Sequence, residues 1–135
     1  MSERTAEKRT KSAGPGTLIY LVDDEAMLLE LACVILEPLG YELRTFRDPQ
    51  AALAAFSNAQ PRPALLITDY SMHNMDGIAL IEACRRLEPA QKVLLISGTV
   101  GPDIMDKASV RPDGFLGKPY HSKQLIDVVN AMAAS

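Results

Sequence analysis

The chain has 135 residues, 47% of them apolar and 23% charged, with a net charge of −3. That length suits one domain around one continuous core, and that charge argues against nucleic-acid binding. No stretch approaches the roughly 20 apolar residues of a membrane span or offers the apolar core of a signal peptide, so a cytoplasmic protein without membrane insertion is expected.

Residues 1–16 carry Arg4, Lys8, Arg9 and Lys11 against Glu3 and Glu7, a balance of +2 that leaves −5 for the other 119. The segment lacks apolar periodicity and ends Gly14-Pro15-Gly16, so it reads as a disordered tail before a folded domain over 17–135. Leu18–Val22 is a short apolar run closed by Asp23-Asp24, a strand. Over 25–39 apolar residues recur at helical spacing (Met27, Leu28, Leu31, Ile35, Leu39), and Gly40 stops the helix. Residues 41–46 alternate as a half-buried strand. Asp48-Pro49 then opens an alanine-rich helix as N-cap and first helical residue, running to about Asn58. Residues 64–69, ALLITD, form a third strand whose apolar run ends on a carboxylate. A helix over 78–87, a strand over 92–97, a short helix over 103–109, a strand over 114–117 and an amphipathic helix over 122–134 complete the chain. Cys33 and Cys84 lie in helical segments without metal-ligand spacing and read as buried free thiols.

Strand and helix alternate five times, and four strands are nearly all apolar. That pattern implies an open parallel sheet covered by helices on both faces, with ligands in the crevice beyond the carboxyl ends of the strands. Asp23 and Asp24 end the first strand, Asp69 the third and Ser97 the fourth, while Lys118 follows the fifth. Singly, each has a plain reading. Asp23-Asp24-Glu25 can favour the start of a helix, Asp69 can be a turn residue, Ser97 a cap and Lys118 a solvated charge. Their joint placement on one sheet edge is poorly explained that way. Three converging carboxylates repel and need a cation, and oxygen-only ligation suits Mg²⁺. A carboxylate nucleophile, a metal, a hydroxyl and an ammonium are together what an acyl phosphate on Asp69 requires.

Four motifs, LVDDE (21–25), LLITDYSMHNMDG (65–77), LLISG (94–98) and GFLGKPY (114–120), make the folded part resemble the receiver domain of bacterial two-component response regulators. The resemblance implies a flavodoxin-like, doubly wound α/β fold: a five-stranded parallel sheet in order 2-1-3-4-5 with five helices in three layers. It implies a phosphoacceptor at Asp69. Asp24 and Asp69 would be side-chain Mg²⁺ ligands, with Asp23 acting through water and Ser71 through its backbone carbonyl. Ser97 and Lys118 would bind phosphoryl oxygens, Lys118–Pro119 would be a cis peptide, and Phe115 would be an aromatic switch following the Ser97 hydroxyl. Phosphate would come from a sensor histidine kinase or a phosphotransfer protein, and phosphorylation would switch binding to a downstream protein target. The surface expected to carry that switch bears Ile104, Lys107, Phe115 and Lys123. The chain would catalyse only its own phosphoryl transfer and slow dephosphorylation, as a monomer or weak dimer.

A degenerate receiver, acting only as an interaction module, is the alternative; the complete residue set disfavours it. A haloacid-dehalogenase-type hydrolase would need Asp-x-Asp after the first strand, where this chain has adjacent aspartates. Departures from the family pattern are His73 in place of proline and the proline-bearing turn over 108–113, while Ser71 and Thr99 occupy the two positions where the family's members vary most in hydrolysis rate. His73 reads as a loop variant, or else as a group modulating phosphoryl chemistry, and nothing in the sequence suggests that it binds metal. With its own Met1 and tail and no attached output domain, a stand-alone regulator is expected.

Overall fold

The structure is a computed structural model that describes residues 16–98 and 111–134. Five parallel strands, β1 (Leu18–Val22), β2 (Glu42–Phe46), β3 (Leu65–Asp69), β4 (Val93–Ser97) and β5 (Gly114–Gly117), form one sheet in the order β2-β1-β3-β4-β5. Helices α1 (Ala26–Leu36), α2 (Pro49–Asn58), α3 (Gly77–Leu87) and α4 (Ser122–Ala134) cover it. This is the flavodoxin-like order, with four helices among the described residues. The fifth, expected over 103–109, lies outside them, as do Thr99, Ile104, Lys107 and the tail over 1–15.

Alternation along the strands divides the core in two, because successive side chains of a strand point to opposite faces. Ile19, Leu21, Leu65, Ile67, Leu94 and Ile96 pack with Leu29, Ala32 and Leu36 of α1 and with Leu125 and Val129 of α4. The intervening Tyr20, Val22, Leu66, Val93 and Leu95 pack with Ala52 and Phe56 of α2 and with Leu80, Ile81 and Cys84 of α3. Both faces of β3 and β4 are covered, so their runs are apolar throughout. The two cysteines are free thiols; Cys84 is buried, whereas Cys33 is only half-buried. Burial pushes the Cys84 thiol up to about 12.

Local chemistry sets the element ends. Asp48 caps α2 by accepting from the Ala51 N–H at 3.2 Å, and Asp76 caps α3 by accepting from the Ala79 N–H at 2.8 Å. The first helix stops earlier than its apolar period suggests. Pro38 lacks the N–H that would continue the α-helical ladder, and Glu37–Leu39 tightens into a 3-10 turn closed by Gly40 in the left-handed region at φ 93°. The buried stripe of α1 also differs from the expected one. Leu29, Ala32 and Leu36 face the core, while Met27 is 81%, Leu31 49% and Val34 65% exposed. The helix is apolar on nearly every side, so spacing alone offered more than one stripe. Of the turn over 108–113, the described part is tied down: Arg85 donates to the Arg111 carbonyl and to Asp113 Oδ2, and the latter oxygen also accepts from the Val93 N–H at 2.8 Å.

Candidate functional site

Parallel strands of equal direction deliver their C-terminal residues to one edge, and register fixes the neighbours there. Val22 stands opposite Thr68, Asp69 opposite Ile96 and Ser97 opposite Gly117. Asp23 is held at the end of β1 by its N–H, which donates to the Phe46 carbonyl at 3.1 Å. Asp69 is the last residue of β3 and only 7% exposed. Lys118 follows β5, its own N–H donating to the Ser97 carbonyl at 2.8 Å. The Lys118–Pro119 peptide is cis, as is Gln60–Pro61.

The ionic groups meet beyond that edge. Lys118 Nζ lies 2.8 Å from Asp69 Oδ1 and 3.5 Å from Asp23 Oδ2. Asp23 Oδ1 accepts from the Glu25 N–H at 2.9 Å. Asp23, Asp24 and Asp69 each offer a carboxylate oxygen within 4.8 Å of the others. One lysine cannot neutralise three carboxylates, and the donors are all hard oxygens, so the set fits a small divalent cation such as Mg²⁺. An open cavity of about 500 Å³ lies over it, lined by Asp24, Glu25, Asp69, Ser71, His73, Gly98 and Lys118. Ser71 lines the cavity, and its N–H also faces the Asp69 carboxylate. Ser97 is 3% exposed, one residue beyond the register partner of Asp69; Gly98, not Ser97, reaches the cavity wall. Phe115 is half-buried against the α2–α3 side of the core, and Lys123, on α4, pairs with Asp127 at 2.8 Å.

Burial holds the Asp69 carboxyl above its ordinary value, and the charge of Asp24 adds to this against the opposing hydrogen bond and charge of Lys118. Asp23 is raised chiefly by burial too, against the Glu25 N–H and Lys118. For Lys118 burial works downward, but the hydrogen bond to Asp69 and the charges of Asp23 and Asp69 outweigh it, so the ammonium is held. A carboxyl with a folded-state pKa above its unfolded value binds its proton more readily when folded. These two groups therefore weaken the metal-free fold at neutral pH, and acidification toward the ordinary value of 3.8 relieves that cost. Asp23→Asn, which keeps an acceptor for the Glu25 N–H, should raise the melting temperature in chelator. The gain should shrink as the pH falls toward the ordinary carboxylate value. Thermal melts of both proteins across that range check it.

Two contacts in this site were not anticipated from sequence. Lys118 bridges the Asp23 and Asp69 carboxylates, and His73 Nδ1 lies 3.0 Å from Asp24 Oδ2. No spacing rule links a loop histidine after β3 to the end of β1; only the parallel pairing of those strands could have suggested it.

A family model described as "Response regulator receiver domain" matches residues 19–130. The chain is 34% identical over 111 residues to the nitrogen assimilation regulatory protein NtrX of Azorhizobium caulinodans, covering 80% of this chain and 24% of that protein. It is 28% identical over 116 residues to the response regulator receiver protein CpdR of Brucella abortus, covering 84% of this chain and 94% of that one. It thus spans about a quarter of the former and nearly all of the latter. Among solved structures, the receiver domain protein of Methanospirillum hungatei superposes with a TM-score of 0.77 at 24% identity, over 87% of this chain and 94% of that one. NtrX from Brucella abortus superposes with a TM-score of 0.78 at 30% identity, over 87% of this chain and 27% of that one.

Proposed function

Because the chain belongs to the response regulator receiver domain family of two-component systems, we propose that it takes a phosphoryl group from a histidine kinase or phosphotransfer protein onto Asp69, with Mg²⁺, and that this switches its affinity for a protein target. The observation that carries the reading is the 2.8 Å contact of Lys118 Nζ with Asp69 Oδ1 inside the three-aspartate cluster. Lys118 fixes one oxygen of Asp69 and leaves the other to attack phosphorus. The new bond is O–P; the bond that breaks joins phosphorus to the donor, whose leaving group keeps the electron pair. Asp23, Asp24 and Asp69 would hold Mg²⁺, together with the Ser71 carbonyl, and the cation would neutralise charge on the phosphoryl oxygens. Lys118 and the Ser97 hydroxyl then face those oxygens. Incubation with acetyl phosphate should add one phosphoryl group by intact-protein mass, and chelator should prevent it. A chain left unlabelled with Mg²⁺ present would instead support the degenerate receiver.

A phosphodonor protein must bring its reactive group to the cavity, so apolar surface beside it is the place to dock. Met27, Leu31 and Val34 form an exposed apolar face of α1, and Leu28, Leu31, Pro119 and Tyr120 line a groove of about 480 Å³ next to Lys118. Leu31→Asp should slow transfer from a cognate kinase by at least tenfold, since placing a charge in an apolar contact costs more than about 1.4 kcal/mol. Acetyl phosphate, too small to need that face, should label the variant at the wild-type rate. Side-by-side rates with the two donors check the split.

Phe115 deepens the switch. As the Ser97 hydroxyl moves toward the phosphoryl group, space opens beside the ring, and an aromatic side chain carries enough apolar area to bias two packings. Phe115→Ala should leave labelling of Asp69 intact and reduce the phosphate-induced change in target affinity. Equal changes in wild type and variant would remove Phe115 from the mechanism.

A further inference from the structure

We propose that His73 is a positioning residue for Asp24: its imidazole takes one carboxylate oxygen and thereby presents the other to the divalent cation shared with Asp23 and Asp69. The inference rests on the cation reading above and assigns His73 no direct bond to the metal. The three carboxylates are held in different ways. Asp23 is fixed by the Glu25 N–H at 2.9 Å and by Lys118. Asp69 is fixed by Lys118 at 2.8 Å and by the Ser71 N–H. Lys118 contacts Asp23 and Asp69, and Arg47 Nη2 approaches only the main-chain carbonyl of Asp24, at 3.4 Å. Among the described residues, what meets the Asp24 carboxylate is His73 Nδ1, 3.0 Å from Oδ2.

The loop that presents His73 is ordered by its own bonds, although the imidazole itself is 84% exposed. The His73 carbonyl accepts from the Met75 N–H at 2.7 Å, and the Gly77 N–H closes back on the Tyr70 carbonyl at 2.8 Å. Between them Asn74 sits in the left-handed region at φ 69°, which asparagine tolerates better than most residues. His73 thus stands on a short, internally bonded turn between β3 and the capped start of α3. A neutral ring with its proton on Nδ1 suffices for the contact, so the effect does not need a charged imidazole. Hydrogen-bonded partners of metal-binding carboxylates orient them, and losing such a partner typically weakens metal binding about 10–100-fold.

The test is calorimetric titration of the full chain with MgCl₂ at about pH 8, for wild type, His73→Ala and His73→Asn. Asparagine places an amide nitrogen where Nδ1 stands and can donate to the same oxygen. His73→Ala is expected to bind Mg²⁺ about tenfold more weakly, and His73→Asn to recover most of the loss. Melting curves in chelator should coincide for all three, separating orientation of Asp24 from damage to the fold. Equal or tighter Mg²⁺ binding by His73→Ala overturns the inference while leaving the cation site standing. A wild-type protein that binds no Mg²⁺ overturns both.

Discussion

Lys118→Ala is expected to slow Mg²⁺-dependent labelling of Asp69 by about 10²–10³-fold, the usual cost of removing one preorganised donor to a developing charge. The ammonium is the one group among the described residues that touches both Asp69 and Asp23. Its net upward pKa, despite burial, keeps it charged and aimed at the site. Without it, Asp69 loses the contact that orients its carboxylate, and two buried carboxyls already raised by burial lose their compensating charge. The metal-free variant should therefore also be less stable than wild type at neutral pH, and the deficit should narrow on acidification as those carboxyls take up protons. Lys118→Arg should restore part of the stability but little of the rate, since a planar guanidinium cannot occupy the position of a compact ammonium. Initial labelling rates with acetyl phosphate, beside melts in chelator, check both effects. A Lys118→Ala rate within about twofold of wild type would take Lys118 out of the transfer step.

Gly77→Ala should destabilise the fold by about 2–3 kcal/mol, the upper part of the range for overpacking a filled site, or roughly 10 °C in melting temperature. A Cβ at Gly77 would come within 2.6 Å of the Asp69 carbonyl oxygen, 2.9 Å of Leu95 Cδ1 and 3.0 Å of Tyr70 Cα. Two of those atoms are main chain, so no rotamer change relieves the clash. The contact exists because the start of α3 packs directly on the end of β3, with the Gly77 N–H donating to the Tyr70 carbonyl. Glycine is needed here for close approach, and any shift that admits a methyl group moves Asp69. Labelling should slow along with the loss of stability. Gly98→Ala is the matched comparison. Among the described residues its Cβ would come no closer than 3.3 Å, to Lys118 Cβ, a tight contact rather than a clash, and a cost below about 1 kcal/mol is expected.

Much of this architecture is readable from the chain because the signals are local. The runs LIYLV and GFLG, and the amphipathic period over 122–134, coincide with β1, β5 and α4. Each is bounded by charge, glycine or a polar turn. The convergence of Asp23, Asp24, Asp69, Ser97 and Lys118 follows from the parallel alternation, since every strand end then shares one edge. What escapes is decided by tertiary packing. The sequence of α1 is apolar on nearly all sides, so only its seat on β1, β3 and α4 selects Leu29, Ala32 and Leu36 for burial and leaves Met27, Leu31 and Val34 outside. Pro38, which cuts the helix short, is a local signal that helical spacing through Leu39 overrode. The His73–Asp24 contact joins two loops 49 positions apart, and neither residue carries a signature of the other.

Locating the phosphoryl group tests the central claim most directly. The chain would be labelled with acetyl phosphate and Mg²⁺, reduced with borohydride to mark an acyl phosphate, digested and sequenced by mass spectrometry, with Asp69→Asn treated in parallel. An amide is a poor nucleophile, so the account predicts a single mark on Asp69 in the wild-type protein and none anywhere in the variant. A mark on another residue of the wild-type chain, or label that persists in Asp69→Asn, would contradict it.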